Sequence, residues 1–385
     1  MLNNFLTERL TSIKDSGLLR ILRTVQSAPA ATITINGKEF INFSSNNYLD
    51  LAGNKEIYKS AVSVIEKYGF TAASSRLVSG NLSLHEELES KLAEFKNKEA
   101  CLLFPSGYQT NVGVISALMS NESESCIIMD KLNHASLWDG AKLSGGRIFV
   151  YDHCDMNSLE KTLRRTSKYK MKLTITESIF SMDGDFTPLE DFVLLCKKYN
   201  AISMLDEAHS TGVFGKEGKG LADFFGVEDK IDITVGTLSK AFALQGGFVC
   251  GSKKFIDFLI NKSRAFIYTT AVSPAICAAA LKALEIVKKS EKRRYNIHSI
   301  SKTLKTKLND LELDTSKMQS QIIPIITCSI ANAEKIALNL FKQGVYAPAI
   351  KHPTVPKQQA RVRISLTSGH TLNDIEKLLK SIMQK

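Results

Sequence analysis

The run Ser203-Met204-Leu205-Asp206-Glu207-Ala208-His209 puts an acid at the end of an apolar stretch and an imidazole three residues later. In an open α/β sheet, ligands sit at the carboxyl ends of strands. Two chemistries fit. One is a DEAH-type nucleotide hydrolase acting on nucleic acid, with the Asp on Mg²⁺. It needs an upstream G-x-x-x-x-G-K-[ST] loop, and the sequence has none. Gly212, Gly215, Gly218 and Gly220 follow the acid and lack the Lys-Thr ending. The other is a pyridoxal phosphate site, which needs a Lys for the Schiff base and an acid opposite the pyridine nitrogen. Gly236-Thr237-Leu238-Ser239-Lys240 supplies that Lys, directly after the strand-like run Ile231-Asp232-Ile233-Thr234-Val235. A lone Lys is ordinarily a solvated surface group. A lone Asp-x-x-His is ordinarily a strand-end turn. Together, in order and on successive strands, they favour the cofactor site.

Two upstream segments add to it. Phe104-Pro105-Ser106-Gly107-Tyr108 reads as a strand, a tight turn and a helix start. Backbone N–H groups at a helix N-terminus bind phosphate well. Asp130-Lys131-Leu132-Asn133-His134 ends another strand with an imidazole that could cover a cofactor ring. Taken alone, that His more commonly caps a helix.

These residues need a scaffold, and the pattern supplies one. Strand-like runs cover Cys101–Phe104, Cys126–Met129, Arg147–Tyr151, Lys172–Glu177, Ile202–Asp206, Ile233–Val235 and Gly247–Gly251. Helical periodicity fills most gaps, as in Leu189–Tyr199 and Pro274–Lys289. Such βα alternation predicts a mostly parallel sheet covered by helices. Ala31–Phe43 reads as a hairpin turning at Asn36-Gly37. Ser83-Leu84-His85-Glu86 has the form of a capping box. A charged helix, a strand at 321–329, a helix at 333–343, a strand pair and the helix Leu372–Met383 predict a smaller α+β domain. The expected division is 1–45 (N-terminal segment and hairpin), 46–288 (large cofactor domain) and 289–385 (small domain).

Composition narrows the class. The 385 residues are 44% apolar and 23% charged, which excludes a disordered chain or a collagen. Seven scattered Cys without a CxxC pair suggest reduced thiols in a cytoplasm, and no metal site. Glu8, Arg9 and Lys14 interrupt what a signal peptide would need. The uncharged stretches Ala100–Asn121 and Ala265–Leu281 are broken by Pro, Ser, Thr or Gly, so no membrane span is expected. The net charge of +11 points to an acidic ligand or to simple Lys bias. The cluster Lys288-Lys289-Ser290-Glu291-Lys292-Arg293-Arg294 reads as a solvated helix face, and nucleic acid is not an expected partner.

Eight ordered motifs carry a resemblance. They are Asn42–Leu49 (NFSSNNYL), Ser75–Gly80 (SRLVSG), Phe104–Asn111, Asp130–Gly140, Thr176–Asp185, Asp206–Gly220, Thr237–Gly247 and Arg361–His370. The set resembles the α-oxoamine synthases, acyltransferases of the fold-type-I pyridoxal phosphate class. NFSSNNYL, SRLVSG, FIYTTA at 266–271 and the tail around His352-Pro353-Thr354-Val355-Pro356 are most similar to the branch serving biotin biosynthesis. That branch joins alanine to a pimeloyl thioester of coenzyme A or acyl carrier protein. Glycine with an acetyl thioester and serine with a palmitoyl thioester are the alternatives.

The resemblance implies roles. Lys240 forms the Schiff base and moves the α-proton. Asp206 faces the pyridinium nitrogen, and His209 and Ser181 face the phenolic oxygen, with Glu177 behind. His134 stacks on the ring. Gly107, Tyr108 and Thr237 hold the phosphate, joined by Thr270 from a second subunit, so a homodimer is implied. Arg363 anchors the amino-acid carboxylate with Asn46, and Arg20 and Thr354 lie near the acyl substrate. Arg361 and Arg363 share a strand face, so periodicity leaves both open. The family's spacing to His370 favours Arg363. Lys351 stands where many relatives have Arg, keeping charge but losing the planar fork. Asp50 replaces a frequent Gly. His85, His153 and His298 read as ordinary structural or surface residues.

Overall fold

The computed structural model describes residues 1–120 and 124–383. The chain divides into two compact units. The larger comprises Asn46–Ser181 and Asp185–Asn296; the smaller comprises Met1–Ser45, Met182–Gly184 and the residues from Ile297 onward.

The larger unit is built on seven strands. They are β1 (Ala100–Phe104), β2 (Ser125–Asp130), β3 (Arg147–Tyr151), β4 (Met171–Glu177), β5 (Ile202–Asp206), β6 (Ile233–Thr237) and β7 (Gly247–Gly251). The spatial order is β1-β7-β6-β5-β4-β2-β3. β2 to β6 pair in parallel, and β7 runs against both its neighbours. β2, β6 and β7 are buried along their whole length. That is why they read as unbroken apolar runs: helices cover both faces. Met129, Ile175, Met204 and Val235 pack in one core with Val114 and Ile115 of helix Gly107–Leu118. The parallel direction brings the ends of β2, β4, β5 and β6 to one edge. Gly247 opens β7 at that edge, where a Cβ would lie 2.6 Å from Gly107 N. Only a glycine lets the Gly107 turn sit this close to the sheet.

Two local expectations need correction. Helix Ser83–Phe95 starts after Leu82, and Ser83 makes no capping box. Its polar closure is instead His85 Nδ1, which accepts from Leu82 N at 3.1 Å. The basic cluster 288–294 is not one solvated face. It spans the junction of helices Pro274–Lys288 and Glu291–Asn309. Arg294 is buried there and donates to the carbonyls of Val287 and Lys288 at the end of the first helix.

The smaller unit holds the hairpin Thr32–Ile35/Lys38–Asn42, with Asn36 and Gly37 both at positive φ, as a tight two-residue turn requires. Val345–Tyr346 adds to it in parallel. A second sheet orders Ile322–Ile326, Arg361–Ser365 and Ala349–Ile350. Among the described residues no helix is long and apolar enough to cross a membrane; Asn121, the end of one uncharged stretch, lies outside them.

Candidate active site

The carboxyl edge of the large sheet opens into a cleft of about 240 Å³. Gly107, Tyr108, His134, Glu177, Asp206, His209, Thr237 and Lys240 all line it. Thus eight sequence-selected residues from five separate segments meet in one place. Ser181, Asn46 and Thr270 are not among the lining residues. Arg20, Lys351 and Thr354 line a different cavity of about 570 Å³ within the smaller unit, with Arg23, Phe341 and Tyr346. Lys351 is engaged there, donating to Glu334 Oε1 at 2.8 Å and to the Gly17 carbonyl at 2.5 Å.

Asp206 ends β5 and is buried. Its Oδ1 accepts from Ala208 N at 2.9 Å and its Oδ2 from Asn111 Nδ2 at 2.7 Å. Glu177 ends β4 at the same level. Burial pushes its carboxyl well up, and the Asp206 charge pushes the same way. Glu177 Oε1 accepts from His134 N at 2.5 Å.

His134 both caps a helix and borders the cleft. Its Nδ1 accepts from Ser136 N at the start of helix Ala135–Ser144. Its ring is open to the cleft, yet surrounding protein displaces enough water to lower its pKa. The Asp206 charge opposes that shift, and Lys240 adds to it. His209 Nδ1 lies 2.6 Å from the Tyr48 hydroxyl, which also donates to Asn46 Oδ1 at 3.2 Å.

Lys240 is half-buried on the loop joining β6 to β7. Thr237 Oγ1 donates to the Gly246 carbonyl and accepts from Ser239 N, closing that loop. Across the cleft, Ser106 caps helix Gly107–Leu118 by accepting from Gln109 N. The Gly107 and Tyr108 N–H groups, in the helix's first turn, have no intrahelical acceptor.

Asn111, Tyr48 and Ser136 escaped the sequence reading. Each acts through a partner far away in the chain, which periodicity does not report. The Ser-Gly-Tyr-Gln-Thr-Asn spacing places Asn111 one helical turn after Gly107, and that was the available signal.

The donor set fits pyridoxal phosphate. A buried carboxylate suits a cationic ring nitrogen, a half-buried amine suits an imine, and a helix N-terminus suits a phosphate. Asn111 Oδ1 is buried at the cleft without a hydrogen-bond partner, so the pocket holds polar capacity that the protein alone does not use.

Known proteins resemble this chain over nearly its whole length. The sequence pattern of the family described as aminotransferase class I and II matches residues 38–382. An 8-amino-7-oxononanoate synthase of Thermoanaerobacter pseudethanolicus is 42% identical over 98% of this chain and 95% of its own. The 8-amino-7-oxononanoate synthase 2 of Bacillus subtilis is 42% identical over 99% and 97%. Serine palmitoyltransferase K265A from S. paucimobilis, solved with a bound PLP–myriocin aldimine, superposes with a TM-score of 0.92 at 28% identity, covering 99% of this chain and 97% of that one. The chain belongs to the aminotransferase class I and II family and, within it, to the α-oxoamine synthases, which use pyridoxal 5′-phosphate as cofactor.

Proposed function

We propose that the protein condenses L-alanine with a pimeloyl thioester, releasing CO₂ and a free thiol and giving 8-amino-7-oxononanoate for biotin synthesis. One observation carries this: near-full-length identity of 42% to synthases of that name, in a chain whose cleft gathers Asp206, Lys240 and His134. Identity to the serine palmitoyltransferase is lower, at 28%.

Bound pyridoxal phosphate supplies an electron sink for charge at the amino-acid α-carbon. The chain's residues do the rest. Gly107 and Tyr108 N–H groups and Thr237 hold the phosphate. Asp206, held by Asn111, keeps a proton on the ring nitrogen. His134 covers the ring, and His209 with Ser181 faces its phenolic edge. Glu177, whose carboxyl burial pushes well up, fixes the His134 backbone. Lys240 anchors the cofactor, then takes the alanine α-proton on Nζ. The α-carbon attacks the thioester carbonyl, and the C–S bond breaks as the thiol leaves. The alanine carboxylate departs as CO₂, and Lys240 returns a proton to the α-carbon. Arg363 and Asn46 hold the carboxylate until then, with a planar fork suited to it. Arg20, Lys351 and Thr354 face the acyl chain and its phosphorylated carrier.

Residues 46–288 carry the cofactor and Asn46 in this scheme, and 1–45 with 289–385 carry Arg20, Lys351, Thr354 and Arg363. The protein works as a cytoplasmic homodimer. Thr270 is exposed and absent from its own cleft, on a segment pinned by Ala271 N to the Ser74 carbonyl and by His85 to the Val272 carbonyl. It reaches the partner's phosphate.

The test is a panel of alanine, glycine and serine against pimeloyl, acetyl and palmitoyl thioesters, read by released thiol. Alanine with a pimeloyl thioester is the expected active pair. A PLP-loaded protein inactive with that pair on either carrier sinks the proposal, as does a Lys240→Ala variant with a normal rate.

A further inference from the structure

His153 lies outside the cleft, yet it joins two pieces of chain that carry cleft chemistry. Its Nδ1 is 3.0 Å from Asp130 Oδ1, and its Nε2 is 2.9 Å from Asp185 Oδ2. Asp130 is fully buried at the end of β2. It organises the turn that leads to His134, accepting from Leu132 N at 2.8 Å and from Cys154 N at 2.9 Å. Asn133, next in that turn, donates to the Ile175 carbonyl of β4. Asp185 sits in one arm of a hairpin whose other arm is 178–181. The arms are tied by Phe180 N to the Asp185 carbonyl, Thr187 N to the Ser178 carbonyl, and the Ile179/Phe186 bridge. The His153 and Phe180 rings meet edge to face, with centroids 4.3 Å apart.

We propose that His153 is a positioning residue, an imidazolium brace that fixes the His134 turn and the Ser181 hairpin relative to each other.

Ionised carboxylates only accept, so a ring between two of them must donate from both nitrogens. The groups facing it are Asp130, Asp185 and the Cys154 thiol, whose Sγ is 3.8 Å from Nε2. Burial works against the charge, but the hydrogen bonds to Asp130 and Asp185 outweigh it, and the pKa is pushed up to about 12. The ring therefore stays charged across the working range. Asp130, His153 and Cys154 also have the donor types of a divalent-metal site. Both ring nitrogens already face carboxylates, which favours the proton over the metal.

The proposal rests on the pocket being the PLP site. The test uses His153→Gln, Asp185→Asn and the double variant, each titrated with PLP after removal of the cofactor and checked for fold by circular dichroism. Losing a charge-assisted hydrogen bond at the brace raises the PLP dissociation constant about tenfold to a hundredfold. The double variant is no weaker than the worse single one, because one brace has been cut twice. Unchanged PLP affinity in variants whose unfolding midpoint has dropped makes His153 merely structural and overturns the proposal. A neutral His153 ring in the ¹⁵N spectrum of the wild type at about pH 8, far above the ordinary His range, overturns it too. So does stoichiometric Zn²⁺ uptake that His153→Gln abolishes. A wild type that takes up no PLP sinks the cofactor assignment as well; equal uptake by wild type and variants sinks the brace alone.

Discussion

Asn111 donates through Nδ2 to Asp206 Oδ2 at 2.7 Å, joining the first turns of helix Gly107–Leu118 to the end of β5 across 95 residues of chain. The same Nδ2 also reaches Ser136 Oγ at 3.0 Å. One amide thus ties together the phosphate-side helix, the proposed ring-nitrogen acid and the start of the His134 helix. It sets the direction in which the Asp206 carboxylate points.

Asn111→Ala removes a hydrogen bond to a charged group, a loss of about 1.5–3 kcal/mol. If that bond orients Asp206, PLP affinity falls roughly tenfold to a hundredfold. Asn111→Asp does worse, since it sets a second carboxylate against Asp206. Absorbance titration of the cofactor-free variants with PLP measures both. Wild-type affinity in Asn111→Ala shows that Asp206 is held without it.

Lys96 and Glu207 form an ion pair of 2.8 Å with both side chains 2% exposed. Lys96 Nζ also donates to Thr211 Oγ1, and Glu207 Oε1 accepts from Ala222 N. The pair pins the turn between Asp206 and His209. Removing one partner strands a buried charge and costs about 3–5 kcal/mol. Lys96→Met is therefore strongly destabilising in urea unfolding, while Lys96→Met with Glu207→Leu recovers much of the loss. A single variant as stable as the double one contradicts this.

The seven strands were legible because each is a short apolar run with a helical stretch beside it. Most of the eight cleft residues were legible because they sit at or just past a strand end, or at a helix start; Glu177 came only with the family resemblance. What escaped was lateral. Tyr48 meets His209 across 161 residues, and His153 meets Asp185 across 32, with no periodic signature for either. Arg294 was hidden for a different reason. In a run of five cations it looks solvated, but its long stem lets the guanidinium turn back onto the carbonyls of the preceding helix. Asp50 was the reverse case: a substitution for Gly implied positive φ, and its φ is 51°. Asp tolerates that region better than most residues.

His370 gives the stability curve an acid limb. It is buried against Phe43, with ring centroids 4.3 Å apart. Its Nδ1 accepts from Thr367 N, and Nε2 donates to the Asn42 carbonyl, an arrangement that suits the neutral ring. Burial pushes its pKa down to about 4 from an ordinary 6.5. The unfolded chain then binds the extra proton first. The contribution is complete above pH 6.5, declines as pH falls, and is gone near pH 4, a change of about 3 kcal/mol at most. Urea unfolding at a series of pH values shows the slope in the wild type. His370→Phe keeps the stack and loses the slope. An equal slope in the variant assigns the acid limb to other groups.

Arg361 and Arg363 stand on one strand, and Arg361 is held by groups of its own unit. Arg361 is fully buried, donating from Nη1 to Asp183 Oδ1 at 2.7 Å and to the Met182 carbonyl, and from Nε to the Gln359 carbonyl. Its fork is committed inside the smaller unit. Arg361→Lys keeps the charge but not the fork, so it lowers the unfolding midpoint. Arg363, as the proposed carboxylate anchor, behaves differently. Arg363→Lys loses one of two parallel charge-assisted bonds and raises the alanine KM about tenfold or more. Steady-state kinetics beside thermal unfolding separates the two effects. Alanine KM raised in Arg361→Lys and unchanged in Arg363→Lys reverses the assignment, and carboxylate binding then belongs to the residue that looks structural.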